Sequence, residues 1–317
     1  MKPESIQQPQ YVVMPVPPLE DMPSKDKTLF LLQPVVEMVR PRVEEKLPGS
    51  FTYFKLLVVM IVYCCSLRDA VNLVNTNVVV RLFVGERVGK STLFDFIGRF
   101  ARARKDLLRE IAKELEAKCR QSYLPSSALY EGIEWLVDSF LLDLPPGKTS
   151  LELVLEKLRL DAMDLGPIAR VIAFARAWLR ARTRRRFEGT WAKKWSRSYF
   201  GLKVFPLIST ALFVHGLEVE MANFSDVRCR LSRKGLKLVD RGFRERGTFV
   251  HPHGNFKYLR PFVEYFGIFL KQHWRPYAET KVRNEAFLYA IAITYNMVHF
   301  VSIQRRTPRH LRAVQLP

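Results

Sequence analysis

Residues 132–145 read GIEWLVDSFLLDLP and are followed at once by Pro146-Gly147. The run is short, apolar and stopped by two prolines and a glycine, which suits a buried strand over about 134–142 better than a helix. In its middle stands Asp138. A carboxylate inside an apolar strand is costly unless a cation or a metal answers it.

Working outward from this strand, the C-terminal side carries more of the same pattern. SYFGLKVFPLIS, ALFVHGLEVEMAN and GLKLVD predict strands at 198–209, 211–222 and 235–240, and TFVHP adds a short fourth. A long helical region is expected from about 261 to 303. On the N-terminal side, residues 51 to about 125 carry helical periodicity. FKLLVVMIVYCC is apolar all round, and the stretch from Ser91 repeats Leu93, Phe96, Ile97, Phe100, Leu107, Leu108, Ile111 and Leu115 against a charged face. Ser91 or Thr92 is the expected N-cap. Residues 1–28 are rich in Pro and Gln and read as an arm, and LFLLQPVVEMVRPRVEEKLPG holds a short helix at most. Helices first, then strands, then a long helix predict an α/β core behind a helical domain. The expected division is an N-terminal arm with a short helix (1–50), a helical region (51–130), an α/β core domain (131–303) and a basic tail (304–317).

Three carboxylates stand out as a set. Asp138 lies in the first strand, Asp240 ends GLKLVD, and Glu264 falls early in the last helical region. Two strands and a helix can bring three carboxylates to one end of a sheet, where they could hold two divalent cations at a phosphodiester. Arg260, Glu264 and Lys271 fall within about 40° of one another on a helix. That spacing could bind metal and grip DNA phosphates; it also suits a surface ion-pair ladder.

The order of these elements resembles the DDE-class transposases of insertion sequences. The first Asp is followed by Ser, as in Asp138-Ser139. A later strand has Gly-x-Lys, as in Gly201-Leu202-Lys203. Then come Asn223-Phe224-Ser225-Asp226 and a second Asp before a basic residue, Gly and an aromatic, as in Asp240-Arg241-Gly242-Phe243. Arg260, Glu264 and Lys271 match the last three members of the family's Tyr-x2-Arg-x3-Glu-x6-Lys signature, and RNEAFLYAIAITYN resembles its closing helix. The likeness covers about 51–303. It implies an RNase H-like mixed sheet with flanking helices, with Asp138, Asp240 and Glu264 as the catalytic, metal-holding residues for two Mg²⁺ or Mn²⁺ ions. It also implies a DNA transposase that cuts element ends and joins them to target DNA, acting as a homodimer on terminal inverted repeats. Two features depart from the family. The signature Tyr falls on Lys257, with Tyr258 one place off, and 23 residues separate Asp240 from Glu264 where the family fits a helix and a strand. A catalytically inactive or repurposed descendant that binds DNA is therefore the alternative.

Charge agrees with a nucleic-acid partner. The chain has 51 Lys and Arg against 31 Asp and Glu, a formal net charge of +20, and neutralising phosphates releases counterions. Between Arg176 and Arg197 nine cations face one acid, Glu188, and Trp178, Phe187, Trp191, Trp195 and the adjoining Tyr199 are interleaved. Such mixing suits a DNA-facing element, with Arg184, Arg185, Arg186, Lys193 and Lys194 as contacts beside Arg260, Lys271 and Lys203; a solvated basic helix is the simpler reading. A further basic cluster, Arg305, Arg306, Arg309 and Arg312, lies in the tail. Anionic membrane is the weaker partner, because the most apolar run, Leu56–Cys65, is shorter than the roughly 20 residues a span needs. MKPESIQQPQ lacks the pattern of a secretory signal, and Cys64, Cys65, Cys119 and Cys229 have no zinc spacing. Reduced thiols in a cytoplasmic, nucleoid-associated protein are expected. His251 and His253 read as ordinary loop histidines. Gly85-Glu86-Arg87-Val88-Gly89-Lys90-Ser91-Thr92 has three residues before Gly-Lys where a phosphate-wrapping P-loop needs four, so a turn between helices is expected there.

Overall fold

The computed structural model describes residues 18–123 (without 87), 133–144, 166–173, 187–194, 197–231 (without 230), 234–239, 249–250 and 260–305 (without 279), with isolated positions 159, 163, 175 and 243. The chain is mixed α/β. Helices α1 (Ser24–Lys46), α2 (Phe51–Tyr63), α3 (Leu67–Thr76), α4 (Val78–Val84) and α5 (Lys90–Tyr123) precede strands β1 (Ile133–Val137), β2 (Phe140–Asp143), β3 (Thr190–Lys194), β4 (Arg197–Ser209), β5 (Val214–Met221), β6 (Leu236–Leu238) and β7 (Phe249–Val250). Helices α6 (Arg260–His273) and α7 (Lys281–Gln304) follow.

β4 is the hub of the mixed sheet and pairs antiparallel with β1, β2, β3 and β5, while β1 pairs parallel with β6, and β6 with β7. The strand expected at 134–142 is present but broken in its middle. Val137 faces Leu207 and Phe140 faces Val204, so one register continues across the gap. Asp138 and Ser139 fall opposite Pro206 and Phe205. Proline has no N–H to give, and a strand residue offers its N–H and C=O to one side. The break is on the β1–β2 side, because pairing to β5 runs on through Pro206 and Leu217.

One large apolar cluster runs from Leu29 to Phe300 and joins α1–α5, one face of the sheet, α6 and α7. Residues of both 51–130 and 131–303 share it. A smaller cluster of Trp135, Val137, Phe205, Leu207, Cys229, Val239 and Phe243 covers the sheet's other face. Alternation along the strands produces this division: Leu136, Phe140, Leu142, Leu202 and Val204 point to the helices, and Trp135, Val137, Phe205 and Leu207 point away.

α2 is buried almost throughout and ends on Cys64 at φ 50. α3 starts with a capping box between Ser66 and Asp69, and the Asn77 side chain caps α4. Gly85, at φ 91, ends α4 in the left-handed region that glycine enters without strain. α7 is buried on every side and is joined to the sheet by polar clasps. The Asn296 amide accepts from Val214 N–H and donates to Val214 C=O, each at 2.8 Å, and the Tyr289 hydroxyl donates to Leu217 C=O at 2.7 Å. Among the described residues α7 alone is long and apolar enough to cross a membrane, and its most apolar window is 89% buried in the fold, as befits a core helix.

Several expectations are corrected. The short helix after the arm is the 23-residue α1, which keeps Pro34 and Pro41 inside it. α5 begins at Lys90, with Leu93 N–H donating to Gly89 C=O at 3.2 Å, ahead of the predicted Ser91 or Thr92 cap. The single helix expected over 261–303 is two helices, parted at 274–280 around Pro276. Part of the basic stretch at 176–197 is strand: Thr190–Lys194 forms β3. The cysteines are free thiols, Cys119 and Cys229 buried, Cys64 and Cys65 half-buried. Burial pushes the Cys65 and Cys119 thiols up to about 11, far from the reactive thiolate.

Candidate active site

Asp138 occupies the strand break, half-buried, and the N–H of Ser139 donates to its Oδ1 at 2.7 Å. The neighbouring strand approaches in parallel. Its last described ladder pair is Leu136 with Leu238. Asp138 and Asp240 each follow their member of that pair by two residues. Asp240 itself lies outside the described residues, as do Arg184, Arg185, Arg186 and the side chains of Arg260 and Lys194.

Glu264 is exposed on α6, and two contacts fix its level along the strand. Gly267 lies against the Phe140 ring; a Cβ there would stand 2.7 Å from Cζ and 2.9 Å from Cδ1. Seven residues on, Trp274 Nε1 donates to Asp143 C=O at 3.0 Å. Seven helical residues rise about 10.5 Å and three strand residues about 10 Å, so α6 runs beside β1–β2 in the same direction. Stepping back from Gly267 to Glu264 descends about 4.5 Å, which is one to two strand residues before Phe140. Glu264 is thus level with Asp138 and Ser139.

The direction it faces follows from the helix period. Phe266 and Phe269 meet Tyr295 of α7, with ring centroids 5.1 and 5.5 Å apart. Val263, Gly267 and Leu270 are buried toward the sheet. At about 100° per residue, Glu264 and Lys271 share one narrow stripe on the flank opposite α7. α7 packs toward β5, beyond β4, so the stripe looks over the β6 side. Glu264 and Lys271 are exposed there, and neither makes an ion pair among the described residues; Arg275, also exposed, lies just past the end of α6.

On the sheet's other face lies a second polar group. Lys203 Nζ pairs with Asp226 and donates to Phe224 C=O at 3.2 Å, with its side chain 14% exposed. Ser139 Oγ donates to Asp226 Oδ2 at 3.4 Å. Thr190 Oγ1 donates to Asn223 Oδ1 at 2.9 Å and accepts from Asn223 N–H at 3.2 Å. The Gly-x-Lys and Asn-x-x-Asp elements therefore meet each other. Lys203, expected at the DNA, has its ammonium turned to Asp226 and a carbonyl, where it ties the turn after β5 to the sheet. Gly201 is required by close approach: a Cβ there would run into the Leu142 backbone.

Asp138 and Glu264 offer hard oxygen donors of the kind Mg²⁺ and Mn²⁺ take. Among the described residues no group of three His, Cys, Asp or Glu is placed to hold a metal ion, so a complete set requires Asp240. Sequence reasoning passed over Arg275, which follows α6 outside the helix, where helical spacing gives no signal. No family model, curated protein or solved structure matches the chain.

Proposed function

We propose that this protein is a DNA transposase of the DDE class, with an RNase H-like core. The observation that carries the reading is the common level of Asp138 and Glu264, with Glu264 on the flank that overlooks β6. The parallel β1–β6 register, with an Asp two residues beyond each partner, supports Asp240 as the third member. The +20 charge supports a polyanionic substrate.

Asp138, Asp240 and Glu264 would hold two divalent ions, Mg²⁺ or Mn²⁺. Such ions polarise the phosphodiester and favour a hydroxide or 3′-hydroxyl nucleophile. The chain's own part is geometry. Ser139 N–H holds the Asp138 carboxylate in place, and the contact of Gly267 with Phe140 sets the height of Glu264. Lys271, two turns beyond Glu264 on its stripe, and Arg275, just past the helix end, would neutralise phosphates along the bound strand. DNA ends are cut first and then joined to a target at the same carboxylates, in a homodimer that holds two ends.

The test uses duplexes carrying the DNA that flanks the protein's coding region, in Mg²⁺ and Mn²⁺. Wild type should nick them near the repeat ends; Asp138→Ala and Glu264→Gln should bind equally well and not nick. Equal nicking by both variants would sink the proposal. The second reading is a DNA-binding descendant without catalysis, favoured by the 23 residues between Asp240 and Glu264. Wild type that binds but never cuts in either metal decides for it.

A further inference from the structure

β3 and the start of β4 form a ribbon that outruns the rest of the sheet. β2 stops at Asp143, opposite Gly201, and β5 stops at Met221, opposite Leu202. From Tyr199 outward, β3 is the only partner of β4 among the described residues, through the rungs Ala192↔Tyr199, Lys193↔Ser198 and Lys194↔Arg197. No Asp or Glu occurs from residue 189 to 217, while Lys193, Lys194 and Arg197 crowd the ribbon's end. Trp191 is 52% exposed, with its ring 5.4 Å from that of Phe200. Phe200 packs against the helix-side core, so by alternation Trp191 and Lys193 lie on the same sheet face as α6.

We propose that this ribbon is a groove-reading arm for double-stranded DNA, an inference that rests on the transposase reading. Two strands lie about 4.8 Å apart and with side chains match a B-form major groove about 12 Å wide. The deep, narrow major groove of an RNA duplex does not admit such a ribbon. The cations face phosphates, and Trp191 gives the ribbon an apolar surface for base edges. Its position relative to the acids follows from β4. Asp138 is level with Pro206, and Lys193 is level with Ser198. Eight strand residues span about 26 Å, which is about eight base pairs at 3.4 Å each. Lys271, on the exposed face of α6, falls at a level between them. A duplex with a phosphate at the carboxylates thus passes the ribbon about three-quarters of a turn away.

The test measures affinity of the full chain against salt for a DNA duplex of about 30 base pairs, an RNA duplex and a DNA single strand of equal length. The DNA duplex should bind tightest. Combining Lys193→Ala, Lys194→Ala and Arg197→Ala should lower the salt slope on DNA duplex by up to about 2.7, at about 0.9 per lost phosphate contact. Trp191→Ala should weaken binding with the slope unchanged. The milder Lys193→Gln, checked for an unchanged denaturation midpoint, should show a single-contact loss and guards against misfolding of the triple variant. Unchanged slopes in the ribbon variants, with a flattened slope in Lys271→Ala plus Arg275→Ala, overturn the ribbon and leave the transposase reading standing. Tighter binding of RNA duplex or single strand also overturns it. Wild type that binds no DNA duplex overturns both.

Discussion

Gly267→Ala tests the contact that sets the height of the candidate site. The added Cβ would stand 2.7 Å from Cζ and 2.9 Å from Cδ1 of Phe140, whereas carbon atoms rest about 3.5–4.0 Å apart. Cε1 would be nearer still, so the ring or the helix must move by more than about 1 Å. Phe140 and Phe266 are 8% and 0% exposed, so neither can swing into solvent. Overpacking of a closed core costs about 1–3 kcal/mol. Alanine in a helix interior returns about 1 kcal/mol of intrinsic preference over glycine. With the neighbours this enclosed, the upper end of the cost applies and the net loss is about 2 kcal/mol. Urea denaturation should show a lower midpoint with an unchanged slope. In a Phe140→Leu background, which vacates the ring edge, the same substitution should cost little, a coupling of about 1–2 kcal/mol. Under the proposed function, a displacement of Glu264 by about 1 Å should also slow cutting by up to about 100-fold. A Gly267→Ala protein as stable as wild type, or more so, would refute the packing of α6 on Phe140 and with it the level assigned to Glu264.

Asn296→Leu removes both partners of the buried Val214 backbone and should cost about 2–6 kcal/mol, at about 1–3 per orphaned group; the denaturation midpoint measures it. Asn296→Asp should help little, since a carboxylate accepts from Val214 N–H but cannot donate to its C=O. Lys203→Ala should cost about 1–3 kcal/mol through the stranded, partly buried Asp226 while leaving the salt slope of DNA binding unaltered; a slope lowered by about 0.9 would place Lys203 at a phosphate. His299 is buried against Ala211 C=O, and desolvation pulls its imidazole from the ordinary 6.5 down to about 4. The unfolded chain takes up that proton first as pH falls, so stability should drop between about pH 6.5 and 4, by about 3 kcal/mol. His299→Gln should flatten the decline, and an equally steep decline in that variant would show that other groups cause it.

Much of the sheet was legible because its strands are apolar runs bounded by turn residues, and β4 falls within one residue of its expected limits. The break at Asp138 was not legible, because its cause sits across the ladder in Pro206. α1 was underread for a related reason. Its prolines read as stops, yet Leu29, Leu32, Val36, Val39 and Val43 still line one buried face and hold the helix against the core. β3 was hidden because TWAKK has as many charges as apolar residues and no clear alternation, and its partner strand, not its own pattern, makes it a strand. Among the site residues, Asp138 was conspicuous as an acid in an apolar run, and Glu264 through its helical spacing with cations. The direction of Lys203 depended on where the turn after β5 brings Asp226, which no local spacing encodes.

The burial of α7 also governs how the protein comes into being. α7 is synthesised after every other element of the core it fills, and its contacts reach back to α1, α2 and α5. While a growing chain lacks residues 281–304, the apolar faces of α2 and α5 have no seat for their largest neighbour. A nascent chain therefore exposes apolar surface that needs shielding until α7 emerges. Fragments that stop short of Lys281 should be cleared by proteolysis rather than persist.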